Sequence, residues 1–210
     1  MKMVRKNQTE IISEALAVLR DGGLILYPTD TVWGIGCDAT NPAAVAKVFA
    51  LKRRPDSKSL VLLASDLDMV ARYIKVIPPI AVDLVEVNDR PMTLVYPGAI
   101  CGRKPAEGEE ARAERHLLAW NTVAEDGSVG IRIPMMDFCR DLVARLARPL
   151  VSTSANLSGE PSPHVFAEIS QEIRDGVDYV VEPYLEKGAT GLASQIIKVE
   201  VDGQVTIIRP

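Results

Sequence analysis

Apolar positions along this chain alternate between helical and strand-like spacing. Ile11, Ile12, Ala15, Leu16 and Leu19 mark one face of a helix, and Gly22-Gly23 stops it. Residues 24–27 form a short apolar run closed by Pro28, which predicts a strand. Asn41-Pro42 predicts a helix start, with Asn as N-cap and Pro in the first turn. Val45, Val48 and Phe49 mark the inward face of that helix. Its C-terminal end carries Lys52, Arg53 and Arg54 before Pro55 stops it, and these cations are expected to be exposed at a sheet rim. A strand is expected at 60–63 and a helix over 66–74, and Pro78-Pro79 breaks the chain ahead of a helical stretch over 80–87.

Strands are predicted at 92–96 and 129–133. The stretch between them, 97–127, is the least regular of the chain. Within it, residues 103–116 mix four basic and four acidic side chains among alanines, which reads as a solvated loop or surface helix. An amphipathic helix follows over 137–146. Pro149-Leu150-Val151 then opens a strand that runs into Ser152-Thr153-Ser154-Ala155-Asn156. A last helix is expected over 165–173, then an apolar stretch at 179–181. The end of the chain reads as a hairpin of 196–201 and 205–208 around Asp202-Gly203. Helices alternate with strands, yet hairpins also occur, so the expected fold is α/β (α+β): a twisted mixed sheet flanked by helices, with a concave site at its rim. Without a proline- or serine-rich linker, residues 1–210 are expected to form a single domain.

Composition narrows the classes. At 47% hydrophobic and 25% charged residues the chain is globular in type, which excludes disorder and fibrous repeats. The polar first ten residues hold no apolar signal region, and no apolar run approaches the roughly 20 residues of a membrane span. Cys37, Cys101 and Cys139 are odd in number and lack CxxC spacing, which suits neither a disulfide framework nor a zinc site. They point to a reducing cytoplasm. A net charge of −4 excludes a globally basic nucleic-acid platform but leaves room for a local basic patch.

Several chemistries fail on their motifs. No G-x-x-x-x-G-K-[ST] loop is present. Gly34-x-Gly36-x-x-Ala39 matches a dinucleotide fingerprint in letters, but Asn41-Pro42 restarts the helix five residues after Gly36, so the glycines instead read as tight turning or close packing. His116 and His164 stand apart from other ligand types and read as surface residues. Two positive signals remain. Lys52-Arg53-Arg54-Pro55-Asp56-Ser57-Lys58 gathers four cations in seven residues, beside an apolar strand. Ser152-Thr153-Ser154-Ala155-Asn156-Leu157-Ser158-Gly159 ends a strand in hydroxyls, an amide and a glycine, a natural anion cradle. With Thr29-Asp30-Thr31, these predict a site for something anionic and polyoxygenated, with nucleotide phosphate the obvious candidate.

On these residues the chain resembles the YrdC-like family of threonylcarbamoyl-AMP synthases. Tyr27-Pro28-Thr29-Asp30-Thr31-Val32-Trp33-Gly34-Ile35-Gly36 is similar to the family's opening motif, Lys52-Arg53-Arg54-Pro55 to its K-x-R-P element, and Ser154-Ala155-Asn156 to its S-x-N element. Order and spacing agree from about residue 11 to 210. The resemblance implies that L-threonine, bicarbonate and ATP give threonylcarbamoyl-adenylate and pyrophosphate, with Mg²⁺ accompanying ATP. The product would serve downstream threonylcarbamoyl-transfer proteins that modify tRNA. It further implies that Thr31, Arg132, Ser152 and Ser194 form the threonine pocket. Lys52, Arg54, Lys58, Ser128, Ser154, Asn156, Ser162 and Arg209 would contact ATP or the carbamate, with Lys52 and Arg54 as the catalytic pair and no metal ligand from the protein.

This sequence departs from the family pattern at Arg90-Pro91-Met92-Thr93, where the usual element is G-P-[LV]-T, and in the long charged segment 97–127. No counterpart of the C-terminal domain of longer relatives is expected. Two other readings compete. An RNA-binding module would use the Lys52–Lys58 cations, against which the acidic net charge weighs. A carbamoyl-adenylate-forming domain for hydrogenase maturation would need accessory segments that this sequence lacks.

Overall fold

The computed structural model describes residues 6–54, 60–109 and 112–210. Helix α1 (Gln8–Arg20) starts at a capping box, in which the Asn7 side chain accepts from the Glu10 N–H and the Glu10 carboxylate accepts from the Asn7 N–H. Its Ile11, Ile12, Ala15, Leu16 and Leu19 face is buried, as the periodicity predicts. Strand β1 (Ile25–Tyr27) pairs antiparallel with β2 (Gly34–Gly36). Asn41 caps α2 (Pro42–Lys52) by accepting from the N–H groups of Ala43 and Ala44. Then come β3 (Val61–Leu63), α3 (Leu67–Ala71), α4 (Pro79–Glu86), β4 (Met92–Tyr96), β5 (Val129–Arg132), α5 (Asp137–Leu146) and β6 (Leu150–Ser154). The chain ends with α6 (Gln171–Asp175), β7 (Tyr179–Val180), β8 (Gln195–Val199) and β9 (Val205–Arg209).

The strands form one mixed sheet in the order β7-β1-β2-β6-β3-β5-β4-β8-β9, with parallel β1–β7, β3–β5 and β4–β8 pairs and antiparallel neighbours elsewhere. That is the mixed α/β architecture expected. The core lies between the sheet and its helices, with Leu26, Tyr27, Ile35, Val48, Leu62, Ile131, Leu142 and Val151 all sealed from solvent. None of the described helices is long and apolar enough to cross a membrane.

Two expectations change, and one alternative is decided. The helix over 66–74 is shorter, because Asp66 caps it by accepting from the Met69 N–H and Ile74 leaves it to bridge Ala99. The helix over 165–173 is two pieces, a 3₁₀ turn (Phe166–Glu168) and α6. Ser170 breaks the run, its extended backbone and its hydroxyl, which accepts from the Ile173 N–H, starting a new helix instead. Of the two readings of 103–116, solvated loop or surface helix, the described residues follow the loop and carry no helix.

Strand β2 is the element that the apolar pattern does not announce, since two of its three residues are glycine. Close packing explains Gly36: a methyl there would stand 2.7 Å from Tyr27 Cε1 and 2.9 Å from the Val151 carbonyl. At Gly34 the nearest atom would be 3.4 Å away, an ordinary contact. Gly36→Ala is therefore expected to lower the unfolding free energy by about 1–3 kcal/mol, as overpacking does, while Gly34→Ala barely moves it. Urea denaturation of both variants measures the difference. Equal midpoints would show that the Tyr27 ring yields freely.

Candidate active site

A cleft of about 410 Å³ lies across one face of the sheet. Strand alternation builds its floor: Gly34, Ser154 and Ser152, Val61, Gly130 and Arg132, and Thr93 and Val95 come from neighbouring strands, and the register sets Gly34 opposite Ser154, and Val61 opposite both Ser152 and Gly130. The site is thus a concave face as well as a rim. Three guanidiniums, Arg54, Arg132 and Arg209, reach it, and no Asp or Glu lines it among the described residues. Burial lowers the proton affinity of Arg54, and burial together with the Arg132 charge does the same to Arg209. Cations held this way favour an arriving anion.

Each cation has a local cause. Arg53, the C-cap of α2, adopts a left-handed conformation (φ 51°), which turns the chain sharply just before Arg54. Arg132, at the end of β5, is buried and its Nη1 pairs with the Asp30 carboxylate. The other Asp30 oxygen accepts from the Met135 N–H (3.0 Å). Arg209, at the end of β9, donates from Nε to the Ser194 carbonyl (2.8 Å), and the Ser194 and Thr93 hydroxyls lie 2.8 Å apart.

The loop after β1 sets the hydroxyls. Thr29 Oγ1 donates to the Val32 carbonyl (2.8 Å) and accepts from the Thr31 N–H (3.1 Å). Its own proton being spent, the 2.8 Å contact with Thr31 Oγ1 takes the Thr31 proton, which leaves the Thr31 lone pairs for a ligand. The Thr190 and Gly191 N–H groups bind the Asp30 and Thr31 carbonyls and bring Ser194 alongside. Trp33 donates from Nε1 to Glu186 (2.7 Å), which fixes the far side of the loop.

Lys52 overturns an expectation. It is 2% exposed, and its ammonium donates to the carbonyls of Ser154 and Asn156 (2.6 Å for the latter) behind the cleft wall. The signal was present in the spacing: Val45, Val48, Phe49 and Lys52 follow i, i+3, i+4, i+7, so Lys52 continues the inward stripe. The RNA-binding reading loses it as a surface cation. Thr31, Arg54, Arg132, Ser152, Ser154, Ser162, Ser194 and Arg209 meet at the cleft. Ser128 and Asn156 do not line it: the Ser128 hydroxyl donates to Asp126 (2.6 Å), and Asn156 Nδ2 donates to the Leu157 and Glu160 carbonyls. Lys58 lies outside the described residues. The sequence places Asp30 in a segment of the site but gives no sign of its pairing with Arg132, 102 residues away. Among the described residues no group of three or more His, Cys, Asp or Glu could hold a metal, and the Asp30 carboxylate is already engaged, so the cleft does not fit a resident cation. His116 and His164 are exposed, as expected.

The family model described as Telomere recombination (Sua5/YciO/YrdC) matches residues 17–210. A threonylcarbamoyl-AMP synthase of Xanthomonas euvesicatoria is 36% identical over 186 residues, 88% of this chain and 91% of that protein. P. abyssi Sua5 complexed with L-threonine superposes with a TM-score of 0.73 at 25% identity, over 93% of this chain and 52% of that one. The chain thus spans about half the length of that protein. E. coli YciO superposes over 98% of this chain and 90% of its own, with a TM-score of 0.70 at 23% identity, a likeness of fold.

Burial, with the Arg54 charge, pushes the Lys52 ammonium from the ordinary 10.5 down to about 8. Between those values the unfolded chain holds the proton that the folded chain has released, so the stability due to Lys52 rises with pH. A neutral amine can still donate to both carbonyls. Lys52→Met removes the lysine donor from both carbonyls, of which Ser154 keeps the Asn156 N–H (2.9 Å), and is expected to destabilise by about 1–3 kcal/mol at pH 7. The gap to wild type should widen between pH 8 and 10.5, in denaturation curves taken across that range. A constant gap would mean that Lys52 does not titrate there.

Proposed function

The chain belongs to the Sua5/YciO/YrdC family, and from that premise we propose that it makes L-threonylcarbamoyl-adenylate from L-threonine, bicarbonate and ATP, releasing pyrophosphate. Residues 1–210 act as one domain, in the cytoplasm, and the product passes to proteins that transfer the threonylcarbamoyl group to tRNA. The observation that carries this reading is the cleft with three guanidiniums, a row of hydroxyls and no lining carboxylate among the described residues.

The chemistry asks for positioning more than for a nucleophile. The threonine amine condenses with bicarbonate, losing water, to give a carbamate. A carbamate oxygen then forms a bond to the α-phosphorus while the bridging bond to the β-phosphate breaks and pyrophosphate departs. Arg54 and Arg209 stabilise the charge that gathers on the phosphates. Arg132, oriented by Asp30, receives the threonine carboxylate, and Thr31, Ser152 and Ser194 surround the rest of the amino acid. Ser154 and Ser162 face the nucleotide. Lys52 positions the loop that carries Ser154 and Asn156, and its charge adds to the field from behind. Mg²⁺ arrives with ATP as part of the substrate, held by phosphates and water.

Labelled bicarbonate should enter an adenylate only when L-threonine and ATP are both present, with matching pyrophosphate. Arg54→Ala should lower kcat/KM for ATP by about 10²–10³-fold. Ser152→Ala should raise the KM for threonine more than that for ATP. Incorporation without threonine would refute the synthase, and the reverse KM pattern would move Ser152 to the nucleotide.

A further inference from the structure

Arg148 and Ser154 bracket β6, six residues or about 20 Å of extended chain apart, so the start of that strand lies well away from the cleft. There a groove of about 790 Å³ is lined by Arg20, Arg72, Arg115, Arg145 and Arg148, together with His116. Five of the 24 lysines and arginines of an acidic chain are gathered at one place. No Asp or Glu lines the groove among the described residues. The pairing of Arg148 with the buried Asp38 is the one ion pair that the five make among those residues. Asp66, at the start of α3, feels the Arg72 charge from outside the groove.

Helix ends account for part of this. Arg20 and Arg145 lie in the last turns of α1 and α5, and Arg72 caps α3, where the negative end of a helix dipole favours a cation. That effect neither brings three helix ends together nor supplies Arg115 from the long charged segment and Arg148 from the turn before β6. The walls are also pinned. Arg20 donates to the Arg145 carbonyl (3.1 Å), the Tyr73 hydroxyl donates to the Arg115 carbonyl (2.9 Å), and Arg148 is anchored on Asp38. The groove therefore exists before any ligand arrives, and its exposed guanidiniums present planar forks suited to phosphate oxygens.

From these features we propose that the groove is a second anion site, which takes a compact polyphosphate: a small molecule with several linked phosphates, inorganic or carried on a nucleoside. Its volume is in the range of small-molecule sites. A long nucleic acid would run beyond the arginines onto a chain of net charge −4, which opposes it. The site does not depend on the synthase reading, and the departure of segment 97–127 from the family pattern gains a role, since that segment supplies Arg115 and His116.

Calorimetric titration of the full chain with inorganic tripolyphosphate should reveal two classes of site. Arg54→Ala should remove the one in the cleft. The double variant Arg72→Ala/Arg145→Ala should weaken the other by about tenfold or more, as expected for loss of two charge-assisted contacts, and leave threonine-dependent turnover within about twofold of wild type. Arg72→Lys/Arg145→Lys, with unchanged circular dichroism, should retain part of the binding, which separates lost charge from lost fold. GTP binding no more tightly than tripolyphosphate would assign recognition to the phosphates alone, and tighter binding would add the nucleoside. A single class of site abolished by Arg54→Ala would overturn the proposal. So would a groove that binds a 20-nucleotide RNA through Arg72 and Arg145 while ignoring tripolyphosphate.

Discussion

The buried Lys52 ammonium ties the end of α2 to the end of β6. Its hydrogen bonds to the Ser154 and Asn156 carbonyls run one way, and the Ser158 N–H returns a bond to the Lys52 carbonyl (2.9 Å). Without these links the hydroxyl-rich turn would have no fixed relation to the helix that delivers Arg54. A cation here is costly, since burial disfavours the charge and Arg54 stands nearby. The two carbonyl acceptors offset that cost. The cleft geometry rests on this balance, because Ser154 pairs in register with Gly34 and Ser152 with Val61. A displaced turn would distort two strand pairings and a wall of the cleft together.

The cleft follows a consistent electrostatic logic. Arg132 is fully engaged on one side by Asp30, and Asp30 is fixed in turn by the Met135 N–H, so one guanidinium is held in a single orientation rather than sampling many. Arg54 and Arg209 are instead cations that burial disfavours, and they gain most from an anion that replaces lost water. One oriented guanidinium and two more farther along the cleft suit a ligand with a carboxylate at one end and phosphates at the other. The amino acid and the nucleotide of the proposed reaction supply both.

Much of this was legible in the sequence where a single period governs a segment. The faces of α1 and α5 and the Asn41-Pro42 start of α2 are local features, decided by spacing and capping, and they appear where the pattern puts them. Segments governed by partners elsewhere were harder to read. The glycines of β2 carry no strand preference, and the close packing that requires Gly36 comes from Tyr27 and the Val151 backbone on the neighbouring strands. Ser170 divides a helical pattern because its own hydroxyl competes for a backbone N–H. The chemistry of Lys52 suggests an exposed cation at a helix end, whereas its spacing after Val45 and Val48 places it inside. The family motifs located the cleft, yet they did not separate residues that line it from Ser128, whose hydroxyl is spent on Asp126, and Asn156, whose Nδ2 is spent on the Leu157 and Glu160 carbonyls.

The two clusters of cations differ in kind, and the difference bears on how each can act. Of the cleft cations, Arg132 is buried and Arg54 half-buried, so dissolved salt screens these two weakly and their field is a fixed property of the folded chain, while Arg209 at the mouth is exposed. Four of the five groove arginines are exposed, with guanidiniums in contact with water and counterions, and a Debye length of about 8 Å at physiological salt limits their reach. Exposed charges of this kind gain little from a single anion such as phosphate. They gain more from a ligand that presents several charges within one Debye length and releases several counterions at once. The density of guanidiniums in the groove, rather than the strength of any one, is therefore what makes a compact polyphosphate its natural occupant.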